Sequence, residues 1–139
     1  WEVNRLVEII AQDSKAHYLY FMYLCEMKRA NYMAAFAYYK NYFDRVTADL
    51  DFAYGNDLSL KKPNYKAFYK EGALIKFYVG IVDSESVIQD AHKLRNANPL
   101  SHSSSELLDS NNTSENLCKS MSALSKLIYE YIDKHTSRN

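Results

Sequence analysis

Glycine and proline together supply only five of the 139 residues, three and two respectively. Ordinary usage of about 12% would place roughly 17 such residues in a chain of this length. So few turn formers cannot serve the frequent tight turns of a sandwich or a barrel, nor a glycine-rich phosphate loop. The length fits one domain. Thirteen tyrosines, six phenylalanines and a tryptophan, in a chain that is 47% hydrophobic, provide enough apolar surface for a core and exclude disorder over most of the length. The reading is an all-α domain. Lys+Arg and Asp+Glu are both 17, so the neutral chain lacks the basic footprint of a nucleic-acid-binding or polybasic membrane-binding domain.

Apolar periodicity places the helices. Val3, Leu6, Val7 and Ile10 recur at helical spacing between Trp1 and Gln12. Asp13 and Ser14 then offer an N-cap for a helix that runs to about Arg29, with Leu19, Tyr20, Tyr23, Leu24 and Met27. Asn31 restarts the chain into a third helix with Tyr32, Ala35, Phe36, Tyr39, Phe43 and Val46 on one side, and Lys40, Asn41 and Asp44 on the other. The short connection makes these two helices an antiparallel hairpin. From Thr47 to Pro63 the pattern breaks, and Asp49, Asp51, Gly55, Asn56 and Asp57 read as a solvated loop. Lys62-Pro63-Asn64 reads as the start of a fourth helix carrying Tyr65, Phe68, Tyr69, Gly72, Ile75 and Val79. Asp83-Ser84-Glu85 starts a fifth with Val87, Ile88, Ala91 and Leu94, which Asn98-Pro99 ends. Residues 97–113 read as a flexible Ser/Asn-rich linker, and 114–139 as a last helix with Leu117, Met121, Leu124, Ile128 and Tyr131 at 4-3-4-3 spacing.

One internal similarity stands out. Leu19, Tyr23, Ala35 and Tyr42 of the first hairpin correspond to Phe68, Gly72, Ser84 and Ala91 of the second at a constant offset of 49 residues. Bulky residues would dock under a neighbouring helix, and small ones would let the paired helix come close. This spacing resembles the tetratricopeptide repeat, whose period is about 34 residues, with an insertion at 47–63. Residues 1–96 would then form antiparallel helical hairpins, two of them tetratricopeptide-like, stacked as a short α-solenoid segment.

A more specific resemblance rests on Ala16-His17-Tyr18-Leu19, Tyr23-Leu24 and Tyr42-Phe43-Asp44-Arg45. Over residues 14–96 the chain resembles the subunit 5 family of the anaphase-promoting complex, where a hairpin with such ends precedes an insertion and a tetratricopeptide hairpin. The resemblance implies a non-catalytic scaffold in a cell-cycle ubiquitin ligase, acting in mitosis and cell division in nucleus and cytoplasm. It implies subunits 1, 4 and 15 of that complex as partners, with no nucleic acid and no membrane. The alternative is a general tetratricopeptide adaptor that binds an extended peptide in its groove.

The residues that could carry chemistry form no enzyme-like set, so no catalytic, cofactor or metal site is expected. His17 and Cys25 lie eight apart, or about 12 Å along a helix, and His92, His102 and His135 are scattered without an H-x-x-x-H pair. Cys25 and Cys118 fit no metal or redox spacing, which suits a reducing compartment. Asp49 and Asp51 fail the calcium-loop pattern because Ala53 and Tyr54 fall where a ligand and a glycine are needed. Lys62, Lys66 and Lys70 recur every four residues as a basic stripe on the fourth helix, a wet face or a contact for an acidic partner. The many tyrosines cannot all satisfy their hydroxyls in one core, and Tyr38 and Tyr42 are candidates for a contact with a neighbouring repeat or subunit. No apolar cluster approaches the length of a membrane span. The opening at Trp1 suggests a piece of a longer protein.

Overall fold

The computed structural model describes residues 8–55, 57–98, 100 and 112–136, and every regular element among them is helical. The chain before residue 8, Pro99, and most of the expected 97–113 linker, including His102, lie outside the described residues. Helix α1, helical over 8–12, runs into Asp13. The Asp13 carboxylate accepts the Ala16 N–H at 3.1 Å and caps α2 (Ser14–Lys28), as the sequence leads one to expect. At its far end the Asn31 N–H donates to the Glu26 carbonyl at 2.9 Å, and the Arg29 N–H to that of Cys25 at 3.2 Å. These bonds satisfy last-turn carbonyls, but the closure needs a left-handed residue, and Ala30 fills that place with φ 58°.

Helix α3 (Tyr32–Tyr54) is 23 residues long and contains no glycine or proline. It does not break at Thr47. Ala48, Asp49, Leu50 and Ala53 are all buried, and the helix stops only where the Gly55 N–H meets the Asp51 carbonyl. The polar letters that suggested a loop are satisfied by other elements. Lys62, Pro63 and Asn64 start no helix. Residues 65–69 are turns, held by the Tyr65 hydroxyl on Asp49 and by the buried Phe68. Only Glu71–Phe77 is helical here (α4), so Lys62, Lys66 and Lys70 are exposed but form no helical stripe. Helices α5 (Ser84–Asn96) and α6 (Ser114–Thr136) follow.

Helix α3 is the axle of the fold. Helices α2, α4, α5 and α6 pack against it, and α6 also packs on α5. Phe43 of α3 stacks on Tyr78 with ring centroids 5.4 Å apart. Tyr78 is fully buried, and its hydroxyl meets the Thr47 hydroxyl at 2.7 Å, which in turn donates to the Phe43 carbonyl. Leu117, Met121, Leu124, Ile128 and Tyr131 of α6 are buried, as their spacing implies. The all-α expectation holds, but the helices close around α3 instead of stacking as successive hairpins. Leu19, Ala35, Phe68, Ser84 and Ala91 are buried, whereas Tyr23 and Tyr42 are half-buried. Gly72 is exposed, with nothing within 4 Å of where a Cβ would stand, so it allows no close helix approach.

The Ala30 conformation generates a stability prediction. A left-handed alanine costs about 1 kcal/mol relative to glycine. Ala30→Gly is therefore expected to stabilise the chain by about that amount, read as a higher urea midpoint with an unchanged slope.

Candidate functional site

Two polar clusters are built into the bundle on opposite sides of the α3 sequence stripe that faces the core. The first centres on Lys40 and Asp44, one turn apart on α3. The sequence assigns them to an outward side, yet Lys40 is only 1% exposed and its Nζ meets Asp44 Oδ1 at 2.5 Å. Burial pushes the Asp44 carboxyl up to about 6, and the Lys40 and Arg95 charges oppose that rise. Arg95 and His92 lie three residues apart on α5, on one helix face. The His92 imidazole is held below its ordinary pKa, first by burial and then by the Lys40 and Arg95 cations, against the pull of Glu71 on α4. Its Nδ1 is buried without a hydrogen-bond partner. Just beyond α5, buried Asn98 donates its side-chain amide to the Met33 carbonyl at 2.9 Å. That bond pins the carboxyl end of α5 to the start of α3.

This arrangement brings a neutral imidazole, a half-exposed guanidinium and a buried ammonium–carboxylate pair together from two helices. It can take up a proton and attract an anion. Two other histidines are committed elsewhere: the ring of His17 bonds to the Ile10 carbonyl, and that of His135 to the Tyr131 carbonyl. Sequence reasoning passed over His92 because its neighbours Lys40 and Asp44 belong to a different helix. The i, i+3 placement of His92 and Arg95 was the available signal.

The second cluster ties the α1–α2 junction to α3. Arg45 Nε donates to both oxygens of Asp13, at 2.8 and 3.0 Å, and its guanidinium lies 3.4 Å from the Tyr65 ring centroid. Tyr65 donates its hydroxyl to Asp49 Oδ1 at 2.9 Å. Asp49 is fully buried, so the expectation of a solvated acidic loop at Asp49 and Asp51 is corrected. Burial, and then the adjoining Asp13 carboxylate, push the Asp49 carboxyl up to about 8. Burial alone would also raise Asp13, but hydrogen bonds from Asp49, the Ala16 N–H and Arg45 keep it below the usual range. The pair therefore shares one proton, held on Asp49.

The tyrosine belt divides. Tyr20, Tyr23, Tyr39 and Tyr42 form a ring cluster with centroids 4.7–5.6 Å apart. The Tyr39 hydroxyl pairs with Ser125 of α6. Tyr42 is half-buried in this cluster, and burial pushes its hydroxyl up to about 12. Tyr38 is half-buried as well, and the more exposed rings are those of Tyr18, Tyr20 and Phe21 on α2. Among the described residues no group of three or more His, Cys, Asp or Glu could hold a metal ion. No described helix is long and apolar enough to cross a membrane.

A helical bundle whose polar groups are gathered at two internal clusters defines a compact helical domain of a kind unlike repeat scaffolds. The model of the family described as HEPN-like, AbiA C-terminal domain, matches residues 4–136. The match spans nearly the whole chain, and the protein belongs to that family. No curated protein matches it. The resemblance to the anaphase-promoting complex is thereby overturned, and with it the scaffold and adaptor functions, the partners among subunits 1, 4 and 15, the mitotic role and the nuclear location. The motifs behind it have local explanations. Ala16 and Leu19 are buried against α3, Asp44 pairs with Lys40, and Arg45 pairs with Asp13.

The carboxyl pair predicts a pH dependence of known sign. Asp49 binds its proton more tightly folded than unfolded, so its stabilising contribution is full below the unfolded value near 4 and is lost as pH rises through about 8. The urea midpoint of the wild type is expected to fall as pH is raised from about 5 to about 9. Asp49→Asn, which keeps a donor toward Asp13 at every pH, should flatten that decline; parallel profiles for the two proteins would refute the shared proton.

Proposed function

We propose that this chain is an RNA-cleaving domain of a bacterial abortive-infection protein and that the His92–Arg95 cluster is its active site. The observation that carries the reading is a half-buried neutral imidazole, its Nδ1 buried without a hydrogen-bond partner, beside Arg95 and the Lys40–Asp44 pair. Membership of an abortive-infection family, and the frequency of RNases among HEPN domains, support it.

The chemistry suited to these groups is attack of a ribose 2′-hydroxyl on the adjacent phosphate. His92 takes the hydroxyl proton, the new P–O2′ bond forms, and the P–O5′ bond breaks. The half-buried Arg95 guanidinium holds the charge that develops on the phosphate oxygens. Lys40 is too deeply buried to touch substrate and acts as a positioning residue, keeping His92 neutral through its field while Asp44 balances its charge. The departing 5′-oxygen needs a proton. We assign its delivery to His102, seven positions after Arg95 in sequence.

Incubation with a single-stranded oligoribonucleotide should yield fragments with 2′,3′-cyclic phosphate and 5′-hydroxyl ends. His92→Ala and Arg95→Ala should each lower the rate by about 100-fold or more, and His102→Ala should do likewise. Wild-type rates in the His92 and Arg95 variants would overturn the assignment.

A further inference from the structure

Helix α2 is apolar nearly all round, yet it packs chiefly on α3 alone. Ala16, Leu19 and Glu26 are buried on that side. The outward side is neither polar nor aliphatic. Phe21 is 62% exposed, Tyr18 55% and Tyr20 41%, and Leu24 is the one large aliphatic among the exposed residues of the helix. The charges on this surface have a single sign. Lys15, Lys28 and Arg29 are exposed, and the only acid between Ser14 and Arg29, Glu26, is buried and ion-paired with Arg29 at 3.1 Å, which leaves Lys15 and Lys28 as the cations of this helix outside an ion pair among the described residues. In a chain of zero net charge, such segregation onto one helix makes a local cationic face.

We infer that this face of α2 is a docking track for single-stranded RNA, with bases stacked on Tyr18 and Phe21, which lie three residues apart on one side of the helix, and phosphates drawn to Lys15 and Lys28. The inference rests on the proposed function and supplies the substrate form that the His92 site would meet. Charge disfavours the simplest alternative occupant, a second copy in antiparallel register, because that pairing sets Lys15 of one helix against Lys28 of the other. A purely apolar partner would be better met by aliphatic side chains than by rings flanked with cations. A flexible polyanion with π-faces matches both features, because sequence-tolerant single-strand surfaces combine stacking rings with cations that meet the backbone. Lys15 and Lys28 lie about 20 Å apart along the axis, room for several unstacked nucleotides. The track also leads to the site. Its cationic end at Lys28 and Arg29 turns directly into Asn31–Met33, and the Met33 carbonyl receives the bond from Asn98 at the Arg95 end of α5.

The test uses the His92→Ala chain, to prevent turnover, and a fluorescent single-stranded RNA of about ten nucleotides, followed by anisotropy. Among the described residues Tyr18 and Phe21 make no ring contact, so Tyr18→Ala/Phe21→Ala is expected to keep its helical circular dichroism. It should weaken binding by about 30-fold or more. Lys28→Ala should reduce the slope of log K against log salt by about 0.7. Duplex RNA should bind more weakly than the single strand. Equal RNA affinity in the double ring variant would overturn the inference. So would ring-dependent binding to phosphatidylglycerol vesicles in place of RNA.

Cleavage of a ribodinucleotide, too short to reach the track, separates this inference from the proposed function. The double ring variant made with His92 intact should cleave the dinucleotide at the wild-type rate while losing activity on the long strand. Failure of the wild type to cleave the dinucleotide, together with ring-dependent RNA binding, would sink the proposed active site and uphold the track.

Discussion

The burial of α3 is the constraint on which the other elements depend. A helix enclosed on most of its circumference cannot leave polar side chains unpaired, because a buried charge without a partner costs several kcal/mol. Helix α3 nevertheless carries Lys40, Asp44, Thr47 and Asp49 among its buried residues. Each has recruited a partner. Lys40 and Asp44 neutralise one another along the helix, Thr47 takes the Tyr78 hydroxyl, and Asp49 takes those of Tyr65 and a shared proton. The segment that follows α3 is shaped by these demands, since Tyr65 and Tyr78 must both return to it.

The same constraint concentrates chemistry. Charges placed inside a bundle perturb one another more strongly than charges in water, and the perturbed groups here fall into two sets. Asp13, Arg45, Asp49 and Tyr65 satisfy one another and lock the α1–α2 junction to the axle. Lys40, Asp44, His92 and Arg95 form the second set, in which His92 Nδ1 has no hydrogen-bond partner; in the first set Asp49 Oδ2 is placed so that only the proton shared with Asp13 can satisfy it.

Much of the helical framework was legible in the residues. The α6 stripe from Leu117 to Tyr131, the α3 residues Ala35, Phe36, Tyr39, Phe43 and Val46, and the Asp13 cap all stand where periodicity and capping chemistry put them. The errors share one cause. Asp49 and Asp51 read as loop, and Lys40 and Asp44 as solvated, because local reasoning assigns charged residues to water. The constant offset between the two hairpins suggested a repeat, since helix pairs of any ancestry alternate bulky and small residues at their contacts. Short motifs such as Ala16-His17-Tyr18-Leu19 resemble unrelated helical families for the same reason.

Composition and spacing alone determined that this chain is helical, that its core is aromatic and where most of its helices begin. These follow from interactions between residues a turn or two apart, which the order of residues states directly. Only the tertiary structure decided that α3 is enclosed, that Lys40 and Asp49 are buried, and that His92 and Arg95 stand beside an ion pair from another helix. Burial depends on what a distant segment brings, and a charge is driven inward or left in water according to whether a partner 30 to 50 residues away arrives to meet it, as Arg45 meets Asp13 and Arg95 approaches Asp44.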